Sequence, residues 1–390
     1  EKKIMKKVAK ITLIVIISII VVVAVVAAIL IGISKKQMND LMYRKEITSN
    51  PKIGEWYRIT PDGALSSDGS QWHGLIKLGD EDKVAIYFYG GGVSVDEYTA
   101  AWPEGTEAGG GFYNPAIQND GLEAMGFGNP SGKNPFRDWT ILVFPYSTAD
   151  FHCGTGDYPY TAKDGTQKVL YHHGYTNMTL FMDKAMQYVK NPDTVLITGF
   201  SAGSFGTSLL ANDILTDYFP DAENTTIFAD SSLLLNDNWK DIAENVWHAP
   251  EAIVNRLHSN NIVLDSLQAL PNDHPNTKIL YSCSVRDSAL TSVQNYFDIG
   301  DDIATEEGGA KFQANLKEMV SAVKELPNSG ILIWDAYRDA MIPSLTGHTI
   351  MMLPTFIEEG IIPGITAADW VMNGVNGNIQ DYGLELLDQN

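Results

Sequence analysis

A serine stands at the centre of a short glycine-rich segment, Gly199-Phe200-Ser201-Ala202-Gly203, which fits the pattern G-x-S-x-G. A β-branched apolar run precedes this segment and a helical pattern follows it, so the serine falls between a buried strand and a helix. Such a turn exposes the serine hydroxyl, and the first amides of the helix add a partial positive charge. A tight strand–helix connection with glycines for packing is the alternative. The context favours Ser201 as a nucleophile.

A serine hydroxyl is a weak nucleophile, so Ser201 would need a histidine base and a carboxylate that orients it. With a nucleophile on this kind of turn, the acid and then the histidine follow it along the chain. Four of the eight histidines follow Ser201, namely His248, His258, His274 and His348. His348 comes in a loop after a strand pattern, whereas the others lie in a helical-looking insertion or a Pro/Asn turn and are expected on the surface. The sequence therefore favours His348 as the base.

The carboxylate has more than one candidate. Asp287 comes just after the strand pattern TKILYSCS and before His348, which is the expected order. Asp230 ends the strand that follows the serine, and Asp335 and Asp339 belong to the last strand and its loop. Asp287 is favoured, and the other three remain alternatives.

A glycine triplet, Gly90-Gly91-Gly92, follows the apolar run KVAIYFY. Glycines let a backbone curl with its amides free, and together with the amide of Ala202 they could bind a developing oxyanion. A phosphate-binding loop is the competing interpretation, but no phosphate-binding glycine motif surrounds the triplet. No cysteine–histidine cluster indicates zinc. We therefore expect neither a metal nor a cofactor.

Six apolar runs alternate with helical patterns, at 83–90, 139–146, 193–200, 224–230, 277–284 and 330–337. Each run is short and almost continuously apolar, which is typical of strands covered on both faces. Helices are predicted over 176–191 and 313–324, and the Gly-, Asn- and Pro-rich stretch 91–137 is expected to form loops over one end of the sheet. The order predicts an α/β fold with a mostly parallel central sheet flanked by helices.

The 390-residue chain is 44% hydrophobic and carries a formal net charge of −21. So acidic a chain is a poor candidate for binding nucleic acid, which requires Lys and Arg against the phosphates. The charge is uneven, since seven lysines and Glu1 give the first 36 residues +6 and leave −27 on the rest. The two cysteines, Cys153 and Cys283, fit either a disulfide or two free thiols.

Residues 11–33 contain no charged side chain and are long enough to cross a bilayer core of roughly 30 Å. A cleaved signal peptide and a buried helix are the alternatives. Five lysines before this run and two after it favour a cytoplasmic N-terminus. We predict a basic cytoplasmic segment at 1–10, a transmembrane helix at 11–33, a linker at 34–55 and an extracellular domain at 56–390, making a single-pass protein of the cell membrane.

Taken together, these segments resemble the pectin acetylesterase family, which also contains the animal carboxylesterase Notum. The matching segments follow the family's order over roughly residues 70–370 and are IYFYGGGVSVD, NPFRDW, VFPYSTADFHCG, GFSAGSFG, FADSS, SCSVRDSALT and TGHT. The chain departs from the family pattern at Val93, where the family has Trp, at Ser204-Phe205, where it has a small residue, and at Ser147, where it has Cys. The cysteine-rich pattern of animal and plant members is also absent, which suggests a bacterial member.

The resemblance implies an α/β-hydrolase-like fold and a metal-free triad of Ser201, Asp287 and His348. It implies oxyanion amides at Gly91, Gly92, Val93 and Ala202, and substrate contacts from Tyr146, Asp150 and His152. The expected activity is removal of short acyl groups, acetyl above all, from a carbohydrate polymer or a small ester. A non-catalytic surface binding protein on the same fold, and a lipase- or peptidase-like enzyme with a longer acyl or peptide substrate, are the alternatives.

Overall fold

The computed structural model describes residues 43–103, 111–117 and 121–389. The chain divides into two compact units, and the larger, Lys45–Gln118 with Leu122–Asn390, holds the strands and α-helices named below. The backbone of Lys45–Ile47 exchanges hydrogen bonds of 2.8 Å with Arg58, so part of the predicted linker belongs to this unit. No helix among the described residues is long and apolar enough to cross a membrane. The predicted basic segment 1–10 and span 11–33 lie outside the described residues.

Within the described residues, ten strands form a large mixed sheet and a separate hairpin. The strands are β1 Trp56–Ile59, β2 Gly74–Lys77, β3 Asp80–Phe88, β4 Trp139–Phe144, β5 Gly156–Thr161, β6 Gln167–His172, β7 Thr194–Phe200, β8 Asn224–Asp230, β9 Lys278–Ser284 and β10 Ser329–Trp334. The main sheet has the order β1-β2-β4-β3-β7-β8-β9-β10, and β5 pairs with β6. In the main sheet the β1–β2 and β2–β4 pairs are antiparallel, and the remaining pairs, which join β4, β3, β7, β8, β9 and β10 in that order, are parallel. The β5–β6 hairpin is antiparallel. The six predicted strands and the mostly parallel sheet are confirmed.

The α-helices connect these strands and cover the sheet. They are α1 Glu97–Ala100, α2 Gly174–Ala185, α3 Ala202–Tyr218, α4 Trp239–Asp241, α5 Glu251–Val254, α6 Ile262–Asp273, α7 Ser288–Ile299, α8 Glu306–Lys324 and α9 Ala367–Val375. The helix predicted over 176–191 ends earlier, at Ala185. The helix predicted over 313–324 begins earlier, because the side chain of Thr305 accepts from the amide of Gly308 and caps α8 at Glu306.

The core lies on both faces of the parallel strands. β4 is buried throughout, and β7 is buried from its second residue. The first ten residues of α3 are also buried, and none of them carries a charged side chain. Each large apolar side chain buried in this way contributes about 1.5–3 kcal/mol to folding, so the sheet and α3 form a rigid support.

The parallel register brings the carboxyl ends of five strands to one edge of the sheet. Phe88 at the end of β3 pairs with Gly199 of β7, and Phe200 pairs with Asp230 at the end of β8. Asp230 pairs with Ser282 of β9, and Ser284 pairs with Trp334 at the end of β10. The residues that follow these strands therefore meet at the edge where open α/β sheets bind ligands.

Candidate active site

Ser201 forms the whole turn between β7 and α3. Its backbone has φ 53° and ψ −129°, in a region that L-residues rarely adopt. Such a conformation costs of order 1–3 kcal/mol and persists only where the surroundings enforce it. Here the Ser201 amide donates to the carbonyl of Asp230 at 3.0 Å. The helix also packs directly on β3, because a Cβ at Gly203 would lie 2.2 Å from the carbonyl oxygen of Phe88.

His348 bonds to Asp287. Nδ1 of His348 lies 2.7 Å from Oδ2 of Asp287, whose side chain is fully buried. Oδ1 of the same carboxylate accepts from the amide of Leu290 at 3.0 Å and caps α7. The helix cap holds the carboxylate in place, and the carboxylate in turn orients the imidazole. Since Nδ1 is used by Asp287, Nε2 is the ring nitrogen left to act as a base.

Asp230 holds the backbone on either side of the site. Its Oδ2 accepts from the amides of Ile350 and Met351 at 2.7 and 2.9 Å, just after His348, while its carbonyl holds Ser201. Burial raises the pKa of Asp230 to about 6, against the lowering effect of these hydrogen bonds. The Asp230 carboxylate therefore binds the backbone of the loop that carries His348, whereas the imidazole itself is hydrogen-bonded to Asp287.

The two other candidate carboxylates lie elsewhere in the loop after β10. Asp335 pairs with the guanidinium of Arg338. Oδ1 of Asp339 accepts from the amides of Met341 and Ile342, both at 2.8 Å. Neither carboxylate hydrogen-bonds to His348.

The pKa of His348 is raised above its ordinary value of 6.5. Burial alone lowers it, but the charge and hydrogen bond of Asp287, with the charge of Asp230, outweigh burial. An imidazole with a raised pKa is a stronger base, and the two carboxylates stabilise the imidazolium that forms when it takes a proton.

Ser201 and His348 lie on the wall of one cavity of about 420 Å³, together with Gly90, Gly91 and Gly92. The rest of the lining is mixed in polarity and includes Phe112, Phe200, Ala289, Leu290, Ser292, Val293, Asp302 and Thr349. Glycines and small side chains around Ser201 leave its hydroxyl accessible from the cavity.

Three of the four predicted oxyanion amides are available. In the described part of the chain, the amides of Gly91, Gly92 and Ala202 donate to no protein acceptor. The prediction for the fourth, Val93, is wrong in this structure, because its amide donates to the carbonyl of Phe112 at 2.7 Å and its side chain is buried. The same bond pulls residue 112 against the glycine triplet and brings its ring into the cavity.

The three side chains predicted to contact substrate lie beneath the cavity instead of lining it. Asp150 is fully buried, and its carboxylate accepts four hydrogen bonds, from Thr148, His152, Gly154 and Gly174. Burial raises the pKa of Asp150 to about 6.

Tyr146 and His152 are also hydrogen-bonded to other groups of the protein. Burial lowers the pKa of His152 to about 4, so its ring is neutral at pH 7 and its Nε2 pairs with the carbonyl of Tyr89 at 2.8 Å. The hydroxyl of Tyr146 accepts from the amide of Phe151 at 2.9 Å. Because Tyr89 directly precedes the glycine triplet, these side chains support the triplet from below.

The remaining sequence candidates lie away from the cavity. His248 and His258 are exposed, and His274 ends α6. Cys153 and Cys283 are buried free thiols, which settles the choice between a disulfide and free cysteines. Among the described residues, no group of His, Cys, Asp and Glu is arranged to hold a metal ion.

Sequence reasoning missed the contribution of α7 to the cavity wall. Ala289, Ser292 and Val293, spaced as one face of a helix, line the cavity. The signal was present, since an Asp followed by SALTSVQNYFDI is a typical start of a capped amphipathic helix. Phe112, by contrast, reaches the cavity through a loop contact that no local pattern indicates.

The sequence matches no protein-family profile and no curated protein. Among solved structures, the chain is similar to the Wnt deacylase Notum from Drosophila, with a TM-score of 0.53 and 13% sequence identity over 84% of this chain and 96% of that chain. The two chains share a fold. At this identity the likeness supports the predicted family-level relationship in architecture, and the chemistry has to be argued from the site itself.

Proposed function

We propose that this protein is a serine carboxylesterase that removes short acyl groups, acetyl above all, from a carbohydrate polymer. The observation that carries the proposal is the His348–Asp287 pair on the same cavity wall as the strained Ser201 turn. Unused amides stand beside the serine, at Gly91, Gly92 and Ala202. These parts suffice for acyl transfer through a covalent intermediate.

In the first half of the reaction, the Ser201 hydroxyl attacks the ester carbonyl while Nε2 of His348 takes its proton. Asp287 holds the imidazole in the required tautomer and stabilises its charged form. The oxyanion is stabilised by the free amides, each of which is worth roughly 3–4 kcal/mol in the transition state. The intermediate then collapses, the C–O bond to the alcohol breaks, and the alcohol leaves with the proton from His348.

In the second half, His348 takes a proton from water, and the resulting hydroxide attacks the acyl-serine carbonyl. A second tetrahedral intermediate forms on the same amides. Its collapse breaks the bond to Ser201, releases the carboxylic acid, and returns the proton to the serine oxygen through His348. No cofactor is required at either step.

The shape and lining of the cavity support a small acyl group on a polar alcohol. A volume of about 420 Å³ must hold both parts of the ester, and Ser292, Asp302 and Thr349 in its lining suit a polar alcohol. The apolar side chains of Phe112, Phe200, Leu290, Val293 and Ala289 favour a second candidate, an esterase for a longer acyl chain. The fold comparison is consistent with either, since the similar structure is described as a deacylase.

The proposal includes attachment to the cell membrane through residues 11–33, with the catalytic unit outside the cell. Its support is the sequence, in which a charge-free run of 23 residues is flanked by lysines. An extracellular unit could reach polymeric substrates that do not enter the cell.

The deciding experiment compares the full-length protein with Ser201→Ala on p-nitrophenyl esters from acetyl to octanoyl. We expect the wild type to turn over the acetyl ester best and the variant to lose at least about 10³-fold in kcat. A fluorophosphonate should label the wild type at Ser201 and should not label the variant. The acyl-length profile distinguishes the short-acyl proposal from the longer-acyl candidate.

Ser204→Ala is the matched control. Ser204 lies in α3, the helix that follows Ser201, and its hydroxyl is buried and donates to the hydroxyl of Ser232 at 2.6 Å. It should keep its turnover and its labelling. A folded wild type that hydrolyses none of the esters, or an active Ser201→Ala variant, would refute the esterase mechanism and leave a binding protein on this fold.

A further inference from the structure

Helix α7 separates the catalytic cavity from a second concave region. Two cavities of about 400 and 510 Å³ share Asn236, Asn238 and Phe297 in their linings, and we call this continuous region the α7 groove. Gln294, Phe297 and Asp298 face it, whereas Ala289, Ser292 and Val293 of the same helix face Ser201. A helix with its side chains is roughly 10–12 Å across, so the groove lies about one helix width from the catalytic cavity.

Side-chain amides dominate the first part of the groove. Asn236, Asn238, Asn260, Asn315 and Gln294 all line it. Gln294 is fixed by two hydrogen bonds to the backbone of Leu235, at 2.8 and 3.0 Å. In the described part of the chain, the side chains of Asn238, Asn260 and Asn315 bond to no protein group. An amide both donates and accepts, which is the complement of a sugar hydroxyl.

Aromatic rings lie beside these amides. The ring of Phe297 lines both parts of the groove and is held edge-on by Trp239 at 5.5 Å. The neighbouring Tyr296 stacks on Tyr98 with an angle of 13° between the rings, and Tyr98 is 51% exposed. The Tyr296 ring also packs on Phe112 of the catalytic cavity at 4.8 Å. The aromatic cluster thus joins the groove to the site, and aromatic faces suit the C–H faces of sugar rings.

The charged side chains that line the α7 groove and the catalytic cavity are almost all negative. The aspartates of the linings are Asp96, Asp237, Asp241, Asp298 and Asp302. Among these described lining residues, Lys311 is the one lysine or arginine, and it is paired with Asp298 at 2.6 Å. A polyanionic chain would bring its carboxylates against these aspartates without a cation to receive them, which is unfavourable for binding.

We propose that the α7 groove binds uncharged sugar residues of the polymer that carries the ester, and that the enzyme discriminates against polyuronates. This inference rests on the proposed esterase function. The groove supplies affinity for the polymer, which is the alcohol part of the ester, and its aspartates select neutral chains over anionic ones.

The first test is binding without catalysis. Full-length Ser201→Ala is titrated with neutral xylohexaose and with hexagalacturonate by calorimetry. We expect xylohexaose to bind and hexagalacturonate to bind at least tenfold more weakly at low salt, because exposed charges repel most strongly there. Equal or tighter binding of hexagalacturonate, or no binding of xylohexaose, overturns the inference whatever the fate of the esterase mechanism.

The second test uses Asn238→Ala/Asn260→Ala, which removes two exposed amides of the groove. We expect the ratio of kcat/KM on acetylated xylan to kcat/KM on p-nitrophenyl acetate to fall about tenfold, which is the loss of two neutral hydrogen bonds. Asn255→Ala, at an exposed asparagine outside the groove, is the matched control and should leave the ratio unchanged. An unchanged ratio in the double variant refutes the groove, whereas a wild type inactive on p-nitrophenyl acetate refutes the proposed function instead.

Discussion

Replacing Gly90 by alanine tests how closely the glycine triplet must approach the serine. A Cβ at Gly90 would lie 2.5 Å from Cβ of Ser201, 2.7 Å from the carbonyl oxygen of Phe200 and 3.2 Å from the amide nitrogen of Ala202. Carbon atoms in contact normally lie about 3.5–4.0 Å apart. The added methyl must therefore displace β3 or the Ser201 turn by about 1 Å.

The turn has little freedom to move away. Its amide is bonded to Asp230, and α3 packs without clearance on the end of β3. Overpacking of this kind costs about 1–3 kcal/mol of stability, which a domain of this size tolerates. Displacing a catalytic group by 1 Å costs about 10²-fold in rate. We therefore expect Gly90→Ala to fold and to lose about 10²-fold or more in kcat.

The assay measures kcat on p-nitrophenyl acetate beside thermal unfolding of the same sample. Gly132→Ala is the control, since Gly132 is exposed and the nearest atom to its added methyl is the flexible guanidinium of Arg137 at 3.0 Å. The control should keep both kcat and its unfolding temperature. A folded Gly90→Ala variant within about threefold of wild-type kcat would refute the view that the triplet and the Ser201 turn position each other.

Three further outcomes are expected. Asp287→Asn should lower kcat by about 10⁴-fold, because the asparagine no longer fixes the tautomer of His348. A much smaller loss in single-turnover kinetics would exclude the role of Asp287 in orienting His348. Asp230→Asn should move the acid limb of the kcat/KM profile to lower pH, because the charge of Asp230 raises the pKa of His348 and the base must be unprotonated to act; an unmoved limb would contradict this coupling. Cys153 and Cys283 are buried with raised thiol pKa values, so both should resist a thiol reagent in the native protein and react on unfolding; rapid native labelling would argue against their burial.

The architecture could be predicted from local patterns, because each buried strand is a short apolar run and the residues of the next turn or loop follow that run directly. The parallel register then places the ends of β3, β7, β8 and β9 together without further information. For the same reason Ser201 and Asp287, which lie within a few residues of a strand end, could be brought to one edge from sequence order alone.

Residues whose role depends on loop contacts could not be assigned from the sequence. Val93 follows the triplet as an oxyanion donor should, but its amide is taken by Phe112, which is distant in the chain. Asp150 and His152 have the residue types of a binding site, yet the Asp150 carboxylate accepts four hydrogen bonds within the protein and Nε2 of His152 pairs with the carbonyl of Tyr89. Sequence shows which groups could act, but it does not show which are already satisfied by a partner.

The dual contact of Asp230 has a consequence for the precision of the site. Its carbonyl holds the Ser201 amide and its carboxylate holds the segment after His348, so both loops take their position from the last residue of β8. A thermal displacement of that strand end moves both loops in the same direction. Their separation therefore varies less than the position of either one, and the reacting atoms can stay in register while the surrounding loops fluctuate.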